Sequence, residues 1–216
     1  MSIVIADKKN DQGFWLKHYT VNGKSTKTRA GRLWNALVTR TTGRGYDKCY
    51  DVAENNFIDF NHFAGWCQEQ HGYLNKEDNG YYWQLDKDIM FPGNKIYSPE
   101  TCVFVPAKLN SIFVERENDE GLPIGVRRIK NSNRFSTRCR NIEGVRVHLG
   151  TYATPEEASN KYLEFKGCVV VETLELYDID PKLKSLLKAR WGYGDISREG
   201  LTRKVEQVVA EKVSYV

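Results

Sequence analysis

The sequence predicts an α+β chain in successive modules: a helix-rich N-terminal part carrying a hairpin, a three-stranded antiparallel sheet packed on one helix, then C-terminal helices. Three observations predict it. Two N-terminal stretches repeat apolar residues at helical spacing, with a short alternating run near Trp83 after them. Three alternating runs separated by turn residues lie between Gly125 and Gly150. A Thr-Pro-Glu-Glu string then opens a further helical pattern at Thr154. Of the 216 residues, 40% are hydrophobic and 12% aromatic, enough to build real cores, and a charged fraction of 28% is not that of a disordered chain. No apolar run approaches the roughly eighteen residues of a membrane span. The start, MSIVIADKKNDQ, is too short in apolar residues for a signal peptide, so a cytoplasmic location with no membrane partner is expected.

Residues 1–28 are polar apart from Phe14, Trp15 and a few others, and carry Lys17, Lys24 and Lys27. This stretch is either a basic arm that orders on nucleic acid or a strand pair that closes the first module. Arg29 to Arg40 is predicted as a helix burying Ala30, Leu33, Trp34, Leu37 and Val38, ended by Thr41-Thr42-Gly43. A second helix is predicted from about Phe57 to Glu69, with Phe57, Phe60, Phe63, Ala64 and Cys67 on its apolar face and Trp66 widening it. His62 and His71 flank it and are candidate bases.

In YYWQLDKDIMFPGNKIYSPETCVFVPAKLN, residues 81–110, Tyr81, Trp83 and Leu85 alternate with Tyr82, Gln84 and Asp86 as a strand. Pro92-Gly93-Asn94 turns the chain, Cys102 to Val105 forms a second strand, and Pro106 opens a short helix carrying Asn110. Asp86 and Asp88 at the strand end either cap a turn or, with Asn110, gather oxygen ligands for a hard divalent cation such as magnesium. The strings LDKDI, GNKIYSPETC and FVP resemble the core of HNH-type (ββα-metal) endonucleases carried by phages and mobile introns. The resemblance implies a degenerate ββα-metal hairpin in a homing-type endonuclease. Asp86 matches the metal-binding acid and Asn110 the last metal ligand, Asp88 assists, and Lys87 stands where the general-base His would be. Thr101 replaces the middle Asn, so two of three signature letters differ.

ERENDEG, residues 115–121, is charged and ends in Gly, and is read as a linker. Beyond it, Gly125–Ile129, Phe135–Arg140 and Val145–Gly150 form a predicted meander with turns at Asn131-Ser132-Asn133 and Asn141–Gly144. Alternation puts Arg138, Arg140, Arg146 and His148 on one face with no acid among them. Thr154, Pro155 and Glu157 give a capping box, and Ala158, Tyr162, Phe165 and Val169 form the buried face of the helix that follows. A free, cationic sheet face is the footprint of a nucleic-acid binder. GVRR, RFSTRCR and GVRVHLGTYATPEEASNKYLEFK closely resemble the ethylene-response-factor type (Apetala-like) DNA-binding domain. The resemblance implies that Arg127, Arg138, Arg140, Arg146 and His148 contact double-stranded DNA. His148 replaces a usual Trp and Arg138 a usual acid, so the preferred sequence should differ from that of plant members.

The tail predicts a helix capped by Asp180-Pro181 with Leu183, Leu186 and Leu187, and another over residues 197–213 with Leu201, Val205, Val208 and Val209. Their stripes must pack on the sheet module or on a second copy of the chain, giving a homodimer. The division read is thus 1–114 for the HNH-like module, 115–121 for the linker, 122–168 for the DNA-binding domain and 169–216 for the helical extension. Charge follows this pattern. Met1 to Lys48 holds 10 Lys and Arg against 3 Asp, Cys49 to Gly121 holds 5 against 13 acids, Leu122 to Cys168 holds 9 against 4, and the rest is balanced. Carboxylates in the middle would hold an ion while flanking cations hold phosphates. Five scattered cysteines with no CxxC pair point to reduced, mostly buried thiols and not to zinc. Three functions stay open: a magnesium-dependent homing endonuclease, an inactive DNA-binding regulator derived from one, or an adaptor that binds a host protein.

Overall fold

The computed structural model describes residues 6–43, 53–113 and 121–191. The chain divides into two compact units, Met1–Ala107 and Lys108–Val216. It is α+β, as the periodicities predict.

In the first unit β1 (His18–Val21) and β2 (Lys24–Lys27) pair antiparallel, His18 opposite Lys27 and Val21 opposite Lys24. Asn22 and Gly23 join them with φ of 49° and 75°, the left-handed pair that a tight hairpin turn requires. Of the two options for the N-terminal stretch, the strand pair is present. Thr28 caps α1 (Arg29–Thr42) by accepting the Gly31 N–H at 3.0 Å, and Gly43 ends it in the left-handed region. A Cβ at Gly31 would overlap the carbonyl oxygen of Lys17, so glycine here lets the helix start lie directly on the backbone of the residue before β1.

The second helix, α2 (Phe60–Glu69), starts three residues later than its apolar pattern predicts. Asp59 accepts the His62 N–H at 2.8 Å and fixes the N-cap, which leaves Phe57 in the extended approach. Phe57 is buried all the same, edge-on to Phe63 with ring centroids 4.9 Å apart. Phe63, Trp66, Tyr73 and Phe104 continue this aromatic core. Arg29 lies inside it. Its guanidinium stacks on Tyr82 and Tyr73, with centroids at 4.1 and 4.8 Å, and donates to the Trp83 carbonyl at 2.9 Å. Asp7 ties the N-terminal stretch to the same region through the Ala30 N–H, Gln68 and Tyr73.

Two small sheets complete this unit. β3 (Glu54–Asn55) runs parallel to β5 (Ile96–Tyr97), and β4 (Gln84–Asp86) pairs antiparallel with β6 (Val103–Val105). The first strand of the 81–110 stretch is thus shorter than its alternation suggests. Trp83 is buried but Tyr81 is exposed, and α3 (Ala107–Ile112) follows β6 as expected from Pro106.

In the second unit β7 (Val126–Arg128), β8 (Phe135–Arg140) and β9 (Arg146–Tyr152) form an antiparallel sheet in chain order. The helix α4 (Pro155–Glu175) packs across one face. The capping box is present: the Thr154 hydroxyl accepts the Glu157 N–H, and the Glu157 carboxylate accepts the Thr154 N–H. Cys139, Leu149, Phe165, Cys168, Val169 and Val171 form one core cluster between sheet and helix; Val126, Phe135 and Ala158 form another. Between Thr137 and Arg138 the β8–β9 register shifts: Gly150 faces Thr137 but His148 faces Arg138, so Leu149 is an extra residue. Val145, predicted in the strand, is exposed in the turn before it.

The helix α4 continues without a break through Cys168, where the sequence suggested a division. Asp180 caps α5 (Pro181–Arg190) by accepting two N–H groups at 3.0 Å, and Leu183 and Leu187 are buried in a helix that packs on α4, while Leu186 stays exposed. Lys184 and Lys188 clamp Glu175 at 2.9 and 2.7 Å. Residues 115–120 of the expected 115–121 linker, the helix over 197–213 and Cys49 lie outside the described residues. Cys67, Cys102, Cys139 and Cys168 are free and buried. No described helix is long and apolar enough to cross a membrane.

Candidate functional site

The outer face of the three-stranded sheet gathers the predicted DNA-contacting residues of the second unit. Side chains directly opposite in an antiparallel pair share a face. Arg138 is opposite His148, Arg140 is opposite Arg146, and Arg127 is opposite Ser136, which in turn is opposite Thr151. All five cationic or ionisable side chains are exposed, while Thr137, Cys139 and Leu149 point into the core. Strand alternation is what sorts them: every charged residue of β8 and β9 falls on the side away from α4.

The turns keep the rows in place. Gly144 donates to the Asn141 carbonyl at 2.9 Å, and the Asn141 side chain accepts the Val145 N–H at 2.8 Å. Arg140 reaches back to the Gly144 carbonyl at 2.7 Å, which ties one guanidinium to the turn between β8 and β9. Gly125 passes beneath the Tyr162 ring, where a Cβ would collide with the ring carbons, so β7 lies close to α4. Arg128, next to Arg127, faces the other way and covers Phe135 at 4.8 Å from its centroid.

Two polar residues share this face, and of these Thr151 escaped sequence reasoning. Ser136 lies beside Arg127, and Thr151 lies beside Ser136 with its carbonyl accepting from Arg134 at 3.1 Å. Alternation in β8 gives Ser136. Thr151 was hidden because the extra Leu149 inverts the phase of β9.

In the first unit, Asp86, Lys87 and Asp88 come together at the end of β4. Asp86 Oδ1 accepts the N–H groups of Asp88 and Ile89 at 2.9 and 2.7 Å, an Asx-type turn. Burial, then the neighbouring Asp88 carboxylate, push the Asp86 carboxyl up to about 6. Lys87 Nζ bonds Asp88 Oδ2 at 3.2 Å and the Asn94 carbonyl at 2.8 Å. Asn94 locks the loop in return, donating to the carbonyls of Lys87 and Ile96 at 2.7 and 2.8 Å. Its position in a Pro-Gly-Asn turn was the only sequence signal of this role.

The turn-capping reading of Asp86 is therefore present in the geometry. The metal reading is left with two adjacent carboxylates that interact with one another, beside an ammonium already engaged with Asp88. Asn110, the other expected ligand, lies on α3 in the second unit. No group of three or more His, Cys, Asp or Glu gathers as a metal site among the described residues. Two carboxylates suit an ion that takes its remaining ligands from phosphate and water.

Thr101 closes its own loop, donating to the Ile96 carbonyl at 2.7 Å and accepting the Ser98 N–H at 3.1 Å. Cys102 follows, its thiol pushed up to about 12 by burial. Of the two candidate bases, His62 accepts from the Ile58 N–H at 3.3 Å, and His71 packs 6.0 Å from the Trp83 ring centroid.

No significant match to the chain is found among protein families, curated proteins or solved structures.

Proposed function

We propose that this chain is a DNA-binding protein that engages duplex DNA with the outer face of β7, β8 and β9. The observation that carries the reading is the row structure of that face. Arg140 opposite Arg146 sets like charges across from one another, beside Arg138 opposite His148. Such pairs destabilise a sheet by themselves. A polyanion removes the repulsion, and the planar guanidinium forks suit phosphates and the edge of guanine.

The test is a shift assay with the full chain and selected duplexes. Replacing Arg138 and Arg140 by Ala should cost at least about tenfold in affinity, since each good base contact contributes roughly 1–3 kcal/mol. Affinity should also fall steeply with salt as counterions are released. No shift of any duplex at low salt would overturn the reading. The buried, free thiols accord with a cytoplasmic setting, that of the host if the chain is phage-encoded.

A second reading, phosphodiester cleavage, is favoured by one observation: Asp86 and Asp88 stand together in the turn that ends β4, with Lys87 bonded to Asp88. Asp86 and Asp88 would hold a magnesium ion, which would supply charge stabilisation and an activated water. Lys87, already fixed beside Asp88, would contribute a positive charge to a phosphate. Magnesium-dependent nicking of a plasmid that carries a selected site, lost in Asp86→Asn with binding retained, is expected on this reading. Normal binding without any nicking would leave the inactive DNA-binding regulator.

A further inference from the structure

We propose that the β1–β2 ribbon of the first unit is a second duplex-DNA contact, gripping phosphates from both of its faces. The inference rests on the reading that the chain binds duplex DNA, but on different residues in a different unit. Between Lys8 and Lys27 there are five lysines and one acid, Asp11. The hairpin register distributes the cations. His18 and Lys27 are opposite one another on one face; Tyr19 is opposite Thr26 and Val21 opposite Lys24 on the other.

Lys8 joins the second face, its ammonium 4.8 Å from the Tyr19 ring centroid. The stretch that carries it is fastened alongside: the Leu16 N–H donates to the Lys8 carbonyl at 2.8 Å, and the Tyr19 hydroxyl to the Ala6 carbonyl at 3.2 Å. Lys8, His18, Lys24 and Lys27 are all exposed, and no salt bridge joins them to a carboxylate among the described residues. Asp7, the nearest acid in sequence to Lys8, is turned toward Ala30, Gln68 and Tyr73.

The shape fits the charge. Among the described residues the sheet has two strands, its tip is Asn22-Gly23, and the exposed Thr20 and Ser25 lie opposite one another. A two-stranded ribbon is admitted by the major groove, where it lies between two rows of phosphates. Cations on both faces then meet both strands of the duplex. One-sided charge would suit a flat anionic surface instead.

The test uses the full chain and a mixed-sequence duplex of about three helical turns. In the variant Lys8→Gln, Lys24→Gln, Lys27→Gln, the slope of log affinity against log salt should become shallower by about 2 to 3, because each lost phosphate contact removes close to one released counterion. Low-salt affinity should drop more than tenfold and the protected length should shorten. Lys24→Arg with Lys27→Arg should retain both. As a control for net charge, Lys182, Lys184 and Lys188 on α5 are changed to Gln. Wild-type binding with an unchanged slope in the ribbon variant, or an equal loss in the α5 variant, would overturn this inference alone. Failure of the wild type to bind any duplex would overturn the proposed function itself.

Discussion

Asp86 meets two influences that act in one direction, burial first and then the Asp88 carboxylate. With its carboxyl at about 6, the folded chain holds this proton more tightly than the unfolded chain does. Stability therefore falls as pH rises from about 4 to about 6 and is level in this respect above that window. Asp86→Asn keeps the oxygen that accepts the Asp88 and Ile89 amides but removes the charge. Its melting temperature should match the wild type near pH 4 and exceed it by a few degrees at pH 7. Parallel melting curves across that range would show that Asp86 titrates normally. In the presence of magnesium the difference at pH 7 should narrow if the carboxylate pair binds the ion, since binding to the folded state stabilises it.

The elements differ in how much of them can be read from the chain. Thr154, Pro155 and Glu157 announce the start of α4, and the cap forms as written. The start of α2 misleads because Phe57 continues the apolar period into a segment that Asp59 has already separated from the helix. The β3–β5 pair was not legible: strands of two residues have no period, and Glu54 and Ile96 meet only through the tertiary fold. On the sheet, Arg138, Arg140, Arg146 and His148 were legible because alternation needs only local sequence. The pairing of Arg140 with Arg146 makes a prediction of its own. Arg146→Thr should raise stability by a few tenths of a kcal/mol, since it removes a like-charge pair and adds a residue suited to strands. The same change should weaken DNA binding several-fold. A variant that loses stability as well would mean that Arg146 supports the sheet.

At the scale of the whole molecule, the division at Ala107 and Lys108 separates the acidic loop from the Arg-bearing sheet. Residues 108–216 expressed alone should melt cooperatively and shift duplex DNA, because the described residues of the clusters under the sheet all belong to this unit. Non-cooperative melting of the fragment would show that the units need each other to fold. Cutting and positioning, if both occur, would then belong to separately folding pieces, and Asp86 variants should leave DNA affinity nearly intact.

The extra Leu149 has a consequence for how this sheet tolerates changes in chain length. Removing one residue from a regular strand turns every later side chain to the opposite face. At Leu149 the count is already one too many, so its deletion would leave His148 and Gly150 as ordinary neighbours opposite Arg138 and Thr137. The core would lose one leucine, but no arginine would be driven inward. In a scan of single-residue deletions along Arg146–Tyr152, the chain lacking Leu149 should be the one that still folds, and a lineage of such sheets could shorten or lengthen at this point without changing which residues meet DNA.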